Sequence, residues 1–154
     1  MWRILYRSAR RWVGDTACST RAPLTCHKRA DDGHVFQWGT LYNLVYPSPT
    51  PVLFPGGHTV VQLAAGDKHV LAVTQTGFCF AWGCGLFGRL GLGSHESHRT
   101  PQPVPVGNKA NIVRVGCGAA HSGAVTGTLP LCMFCARRQG SASHRDGCAR
   151  RTIW

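Results

Sequence analysis

The chain has 154 residues, 15% of them charged, with 19 glycines and a formal net charge of +11. That is enough for one ordinary domain, low in charge and rich in turn-forming glycine for a globular sequence. Its carboxylates stand at 15, 31, 32, 67, 96 and 146 and never pair on one element of the central region, which argues against a carboxylate-driven hydrolase, and no apolar run of about 20 residues offers a membrane-spanning helix.

Residues 1–14, MWRILYRSARRWVG, predict a basic amphipathic helix. At about 100° per residue, Arg3, Arg7, Arg10 and Arg11 share one face. Trp2, Leu5, Tyr6, Ala9, Trp12 and Val13 share the other, with Ile4 as the exception. No acidic residue precedes Asp15. This is the composition of a mitochondrial transit peptide. Its basic face suits acidic receptors and the membrane potential, and its apolar face suits a receptor groove or lipid interface. An ordinary surface helix and an uncleaved membrane-surface anchor are the competing readings, with a cytoplasmic or nuclear location as the alternative to the mitochondrion. Residues 15–32 have no clear period and read as a linker, ending in the turn Ala30-Asp31-Asp32-Gly33. Any leader is expected to be cut there.

Residues 33–126 repeat. Gly33-His34-Val35-Phe36-Gln37-Trp38-Gly39 stands 44 positions before Gly77-Phe78-Cys79-Phe80-Ala81-Trp82-Gly83. VVQLAAGDKHVLAVT, from Val60, stands 52 positions before IVRVGCGAAHSGAVT, from Ile112. Gly66 matches Gly118, His69 matches His121, and Pro51-Val52 matches Pro103-Val104. The change from 44 to 52 puts eight extra residues between Gly83 and Pro103, in a glycine-rich loop where a repeat array tolerates insertion. Alternating apolar runs predict strands at Val35–Trp38, Val60–Ala65, His69–Thr74, Phe78–Trp82, Ile112–Gly116 and Ser122–Thr126.

These residues resemble the repeat of the regulator of chromosome condensation family, a seven-bladed β-propeller. Ala65-Gly66, His69, Thr74, Gly77, Phe80, Trp82-Gly83, Gly85, Phe87-Gly88, Leu90-Gly91, Gly93 and Pro101 fall on its pattern in order. The first copy departs from it, reading LYNLVYPSPT in place of the glycine-rich loop. The resemblance implies an all-β fold, a partial propeller of about one near-complete blade and two partial blades. A basic N-terminal helix precedes it and an irregular tail follows. The domains are then a leader and linker over 1–32, repeats over 33–126 and a Cys/His-containing tail over 127–154. Blades bury their faces against neighbours, so missing blades or self-association are expected to complete the fold, and the chain reads as a truncated product of a longer protein.

The tail, GTLPLCMFCARRQGSASHRDGCARRTIW, loses the repeat pattern. Cys132, Cys135, His144 and Cys148 form its one metal-like constellation. Cys-x2-Cys is a common half of a zinc site, but the spacing to His144 and Cys148 matches no known module. Zinc is therefore an alternative, and no metal or other cofactor is assigned. Gly83, Gly85 and Gly88 satisfy G-x-G-x-x-G, yet no Lys-Ser/Thr and no helix pattern follows, so propeller turns explain them better than a phosphate loop. His69 and His121, at one repeat position, read as structural. His95 and His98 read as residues of a solvated loop. Cys79, Cys84 and Cys117 read as buried thiols rather than disulfide partners, which favours a reducing compartment.

Charge separates the regions. Residues 1–32 hold seven Lys/Arg and three Asp/Glu, residues 33–126 five and two, and residues 127–154 five and one, for net values of +4, +3 and +4. Most of the charge lies outside the repeats, which argues against nucleic-acid binding by the repeats themselves. The leading function is a protein-interaction module, not an enzyme. The family resemblance adds guanine nucleotide exchange on a small GTPase as an alternative. A zinc-dependent nucleic-acid-binding tail bearing Arg137, Arg138, Arg145, Arg150 and Arg151 is the second alternative. No catalytic residue is assigned.

Overall fold

A computed structural model of the chain describes residues 17–18, 25–105, 111–127 and 132–134. The leader helix at 1–14 and most of the tail lie outside them, as do Cys135, His144 and Cys148 and the Cys132 side chain. The described residues form three antiparallel sheets. The first has the order β1 (Ala17–Cys18), β2 (Thr25–Arg29), β3 (Val35–Leu41), β4 (Leu44–Val52). The second runs β5 (Val60–Ala65), β6 (His69–Thr74), β7 (Cys79–Gly83), β8 (His98–Pro103). In the third, β10 (Ser122–Thr126) lies between β9 (Ile112–Cys117) and β11 (Cys132–Phe134). Each sheet is a meander, and each is a propeller blade packed face to face on the next. β5 packs on β1 and β2, and β9 on β5 and β6.

Period-two alternation explains which residues line each inter-blade core. Val70, Ala72, Phe80 and Trp82 point from the second blade toward Val35, Leu41 and Val52 of the first. Leu71, Val73, Cys79 and Ala81 point the other way, toward Ile112, Val115 and Ala124 of the third. β6, HVLAVT, is therefore buried at every residue, which a strand with a neighbour on both faces requires. Side-chain hydrogen bonds join the inner strands: the Gln62 amide accepts from Val115 N at 3.0 Å and donates to Val115 O at 3.2 Å, and Cys117 Sγ donates to Ala64 O at 3.4 Å.

A repeated backbone latch fixes the spacing between blades. Val60 N donates to Gly33 O at 3.3 Å, and 52 residues on Ile112 N donates to Gly77 O at 3.0 Å. Within the second and third blades, Gln75 N donates to Thr59 O at 2.9 Å and Gly127 N to Asn111 O at 2.8 Å, which holds the segment before each inner strand in place. Gly33 and Gly77 share φ +81° and +80°, and a Cβ on either would collide with Thr59 or Asn111, the residue just before the next blade. Glycine is needed there for its left-handed backbone and its missing side chain together. Gly77→Ala is expected to cost at least about 2 kcal/mol, whereas Gly57→Ala costs about 1 kcal/mol. Gly57 has φ +65° and nothing within 4 Å of an added Cβ. Urea midpoints of the two variants check the difference.

The six strands expected from sequence are present, with ends shifted by at most a few residues. Five more strands join them. β2 and β1 extend the first sheet back through the region read as a linker, so both of the first two blades have four strands. The first copy lacks a glycine loop because the β3–β4 connection closes as a tight hairpin at Tyr42–Asn43, with Leu41 paired to Leu44. Tyr42 takes φ 56° there. β4 and β8 carry prolines at 47, 49, 51 and at 101, 103. They are outermost strands, where a missing N–H on the free side costs no ladder bond and discourages pairing by another chain. Cys79, Cys84 and Cys117 are free thiols as expected. Cys26, in contrast, is disulfide-bonded, so the chain is not thiol throughout.

Candidate functional site

Strand direction gathers four connections at one end of the blades: the Tyr42–Asn43 hairpin, the Gly66–Lys68 turn, the long loop after Gly83 and the Gly118–His121 turn. Cys84 N donates to Lys68 O at 2.7 Å and Asp67 N to Ala119 O at 3.4 Å, so the last three of these connections form one continuous surface. The β6–β7 turn and the links between blades lie at the opposite end.

The long loop is the most built part of this surface. Gly85 N donates to Ser97 Oγ at 3.0 Å, closing its base. Gly88 N bonds Gly85 O, and Gly91 N bonds Gly88 O, both at 3.0 Å. The chain makes a single 3-10 turn at Leu86–Gly88 in which Phe87 is left-handed, at φ 65° and ψ 17°. A bulky residue held there is strained. Leu86 and Phe87 are nonetheless 51% and 49% exposed, so burial of their own side chains does not account for the conformation.

Arg89 does. It is buried, although it is the one charged residue between Gly83 and Gly93. Its Nε donates to Leu86 O at 2.9 Å and its Nη1 to Ala119 O at 3.4 Å. Its guanidinium lies 5.6 Å from the Phe87 ring centroid, within cation–π range. One side chain thus ties the loop's apex to itself and to the third blade.

Ser122 and His69 hold Arg89 from beneath. Ser122 Oγ donates to Arg89 O at 2.7 Å and lies 2.9 Å from His69 Nε2. Because Ser122 spends its proton on the carbonyl, His69 must donate from Nε2, which fixes the neutral tautomer with a bare Nδ1. Nδ1 has no hydrogen-bond partner. A second proton would be buried unpaired, so burial, aided by the Arg89 charge and opposed by the His121 backbone, brings the imidazole down to about 4.

His69 and His121 have the structural role their repeat position implies. Each ring lies on the glycine three residues before it, and a Cβ on Gly66 or Gly118 would run into the imidazole. Each carbonyl accepts from that glycine's N–H, at 2.8 and 2.9 Å. His95 is exposed in the long loop, and His98 opens β8 beside a cleft of ≈ 220 Å³. That cleft is lined by the Leu41–Leu44 hairpin, Gly83 and Ser97–Arg99. Among the described residues no group of three or more His, Cys, Asp or Glu is placed to hold a metal. The glycines of the G-x-G-x-x-G match serve turns and close approaches: a Cβ on Gly85 would strike the Glu96 backbone.

A second buried histidine went unnoticed in the sequence. His27 of β2 is fully buried against Trp82, edge to face at 5.7 Å between centroids. Neither ring nitrogen has a hydrogen-bond partner. Burial lowers its pKa to about 4, opposed by a polar contact from Gln37 that falls short of a hydrogen bond. Cys79 and Cys117 are pushed up to about 12 by burial, which makes them poor nucleophiles. What this end of the molecule offers is contact: an apolar tip of Leu86 and Phe87 on a pinned loop, with Lys68, His95, Glu96 and Arg99 exposed around it. Rigid aromatic tips rimmed by polar groups are where interfaces concentrate binding energy.

Comparison with known proteins agrees with this architecture. Two profiles of the regulator of chromosome condensation (RCC1) repeat match, over residues 76–125 and 60–89. The ultraviolet-B receptor UVR8 of Arabidopsis thaliana is 38% identical over 52% of this chain and 18% of its own length. The human E3 ubiquitin-protein ligase HERC2 is 34% identical over 74% of this chain and 2% of its own. The chain thus spans only a small part of the relatives it matches. Among solved structures, human WBSCR16 superposes with TM-score 0.60 at 29% identity, covering 71% of this chain and 30% of that one. Yeast RCC1 (Prp20), solved bound to Kap60, gives TM-score 0.60 at 24% identity, with 71% and 27% covered, which bears on fold alone.

Proposed function

This chain carries the propeller repeats of the regulator of chromosome condensation family, and on that footing we propose that it is a protein-interaction module whose partner docks on the glycine-loop end of the blades. The observation that carries the reading is Phe87: exposed, left-handed and held in place by a buried arginine. An exposed side chain kept in a strained backbone is costly to maintain for folding alone, and strain of this kind clusters at binding sites. The role is regulatory or scaffolding rather than catalytic. Guanine nucleotide exchange on a small GTPase is the finer alternative. Prp20p of Saccharomyces cerevisiae, whose solved structure resembles this chain, has binding properties to Gsp1p and histones. The Arg-rich leader supports import into mitochondria as the site of action. Zinc-dependent nucleic-acid binding by the tail is the remaining alternative, resting on Cys132, Cys135, His144 and Cys148.

Affinity capture from cells, comparing the intact protein with Phe87→Ala, tests the interaction reading. One partner should lose about 2 kcal/mol of binding, roughly thirtyfold in Kd. An equal loss with Phe78→Ala, at the opposite end of the blade, would overturn the choice of surface. Acceleration of nucleotide release from a captured GTPase, lost in Phe87→Ala, separates exchange from scaffolding.

A further inference from the structure

The outermost strands of the first two blades share an irregularity of pairing. In β4, Thr50 pairs with Gln37 and Tyr46 with Gly39, so Pro47-Ser48-Pro49 stands opposite Trp38 alone. In β8, Gln102 pairs with Ala81 and His98 with Gly83, so Arg99-Thr100-Pro101 stands opposite Trp82 alone. Both are three-against-one bulges facing the tryptophan of the repeat, and Ser48 and Thr100 are their central residues, 52 positions apart. A bulge frees backbone from the ladder and turns the side chain of its extra residue outward. Both Ser48 and Thr100 are exposed.

Each is followed by proline. The chain holds three Ser/Thr-Pro dipeptides, Ser48-Pro49, Thr50-Pro51 and Thr100-Pro101, and the bulges select two of them. Kinases that require proline after the acceptor need an extended segment, a reachable hydroxyl and a following residue that contributes no N–H. Strand-like backbone released from pairing on an outer edge meets all three needs. Thr100 Oγ1 accepts from Gln102 Nε2 at 3.2 Å, a bond that uses an oxygen lone pair and leaves the hydroxyl proton uncommitted. Thr50 has the same dipeptide but is in register with Gln37, is half-buried and donates its hydroxyl to Ser48 O at 3.0 Å.

We propose that Ser48 and Thr100 are phosphate-acceptor sites for a proline-directed protein kinase, presented by equivalent bulges on neighbouring blades. In the transfer, the acceptor Oγ attacks the γ-phosphorus of ATP. The new O–P bond forms as the bond to the β,γ-bridging oxygen breaks. ADP leaves, and the hydroxyl proton passes to the kinase's carboxylate base. Each phosphate adds about −1.5 to −2 charge to the outer rim of a blade, beside Arg99 in the second.

The test incubates the intact, folded protein with ATP and a purified cyclin-dependent or mitogen-activated kinase, and follows phosphate at each residue by mass spectrometry. Ser48 and Thr100 should be labelled about tenfold faster than Thr50, because local release from the ladder sets access in the native state. The same chain unfolded in mild denaturant tolerated by the kinase, or as synthetic peptides, should lose that preference. Ser48→Ala and Thr100→Ala should each remove one phosphate and leave the other, with circular dichroism unchanged. Equal labelling of Thr50 in the folded protein, or labelling of neither Ser48 nor Thr100 when the peptides are labelled, would overturn the proposal.

Discussion

Replacing Trp82 with alanine is expected to lower stability by about 3–5 kcal/mol, the range for removing a fully buried large aromatic. Trp82 is 0% exposed. It fills the joint between the first two blades, edge to face with Phe54 and with His27, each at 5.7 Å between centroids. Its indole N–H donates to Gln37 Oε1 at 3.4 Å, so truncation also strands a buried amide oxygen. Trp38 holds the same repeat position in the first blade but is only half-buried. Trp38→Ala should cost less than half as much. Urea denaturation followed by far-UV circular dichroism measures both, and equal losses would mean that the inter-blade joint is not the main source of cohesion.

Acid should unfold the protein from the inside. His27 and His69 have folded pKa values of about 4 against an ordinary 6.5. Their folded values are depressed, so above pH 6.5 neither state is protonated and the full stability is present. As pH falls from 6.5 toward 4, the unfolded chain takes up protons that the folded chain refuses, and stability drops. Below about 4 both states are protonated and these groups add no further loss. A shift of this size corresponds to about 3 kcal/mol for each histidine, so the pair removes about 6 kcal/mol across that window. In the 44-residue repeat His27 stands where the second blade has Leu71, which is also fully buried. His27→Leu should therefore remove about half of the acid loss while keeping the fold. Stability measured at pH 7 and pH 4.5 in both proteins decides it. An unchanged pH dependence in His27→Leu would mean that another group carries the effect.

Strands with apolar alternation were legible in the sequence, as was the Trp-Gly repeat that aligns them. β6, β7 and β10 stand almost where alternation predicts, because their periodicity is the direct imprint of a neighbour on each face. β4 and β8 were not legible, since proline argues against a strand unless its place at the outer edge is known, and edge position is a tertiary fact. β2, TCHKR, has no apolar alternation; its membership of a sheet rests on pairing with β3, which local sequence does not encode. The structural role of His69 followed from its repetition at His121, whereas its partners Ser122 and Arg89 did not. Arg89 could have been singled out as the lone charge in GCGLFGRLGLG. Nothing in the sequence marked it as buried.

The most direct test of the account places a photoreactive phenylalanine analogue at position 87, and separately at position 78, in the intact protein and irradiates cells expressing each. The two positions lie at opposite ends of the same blade and are similarly exposed, at 49% and 53%. A discrete crosslinked partner from position 87 that is missing from position 78 is the result expected of a docking surface built on the glycine loop. The same partner from both positions, or a partner from position 78 alone, would contradict it.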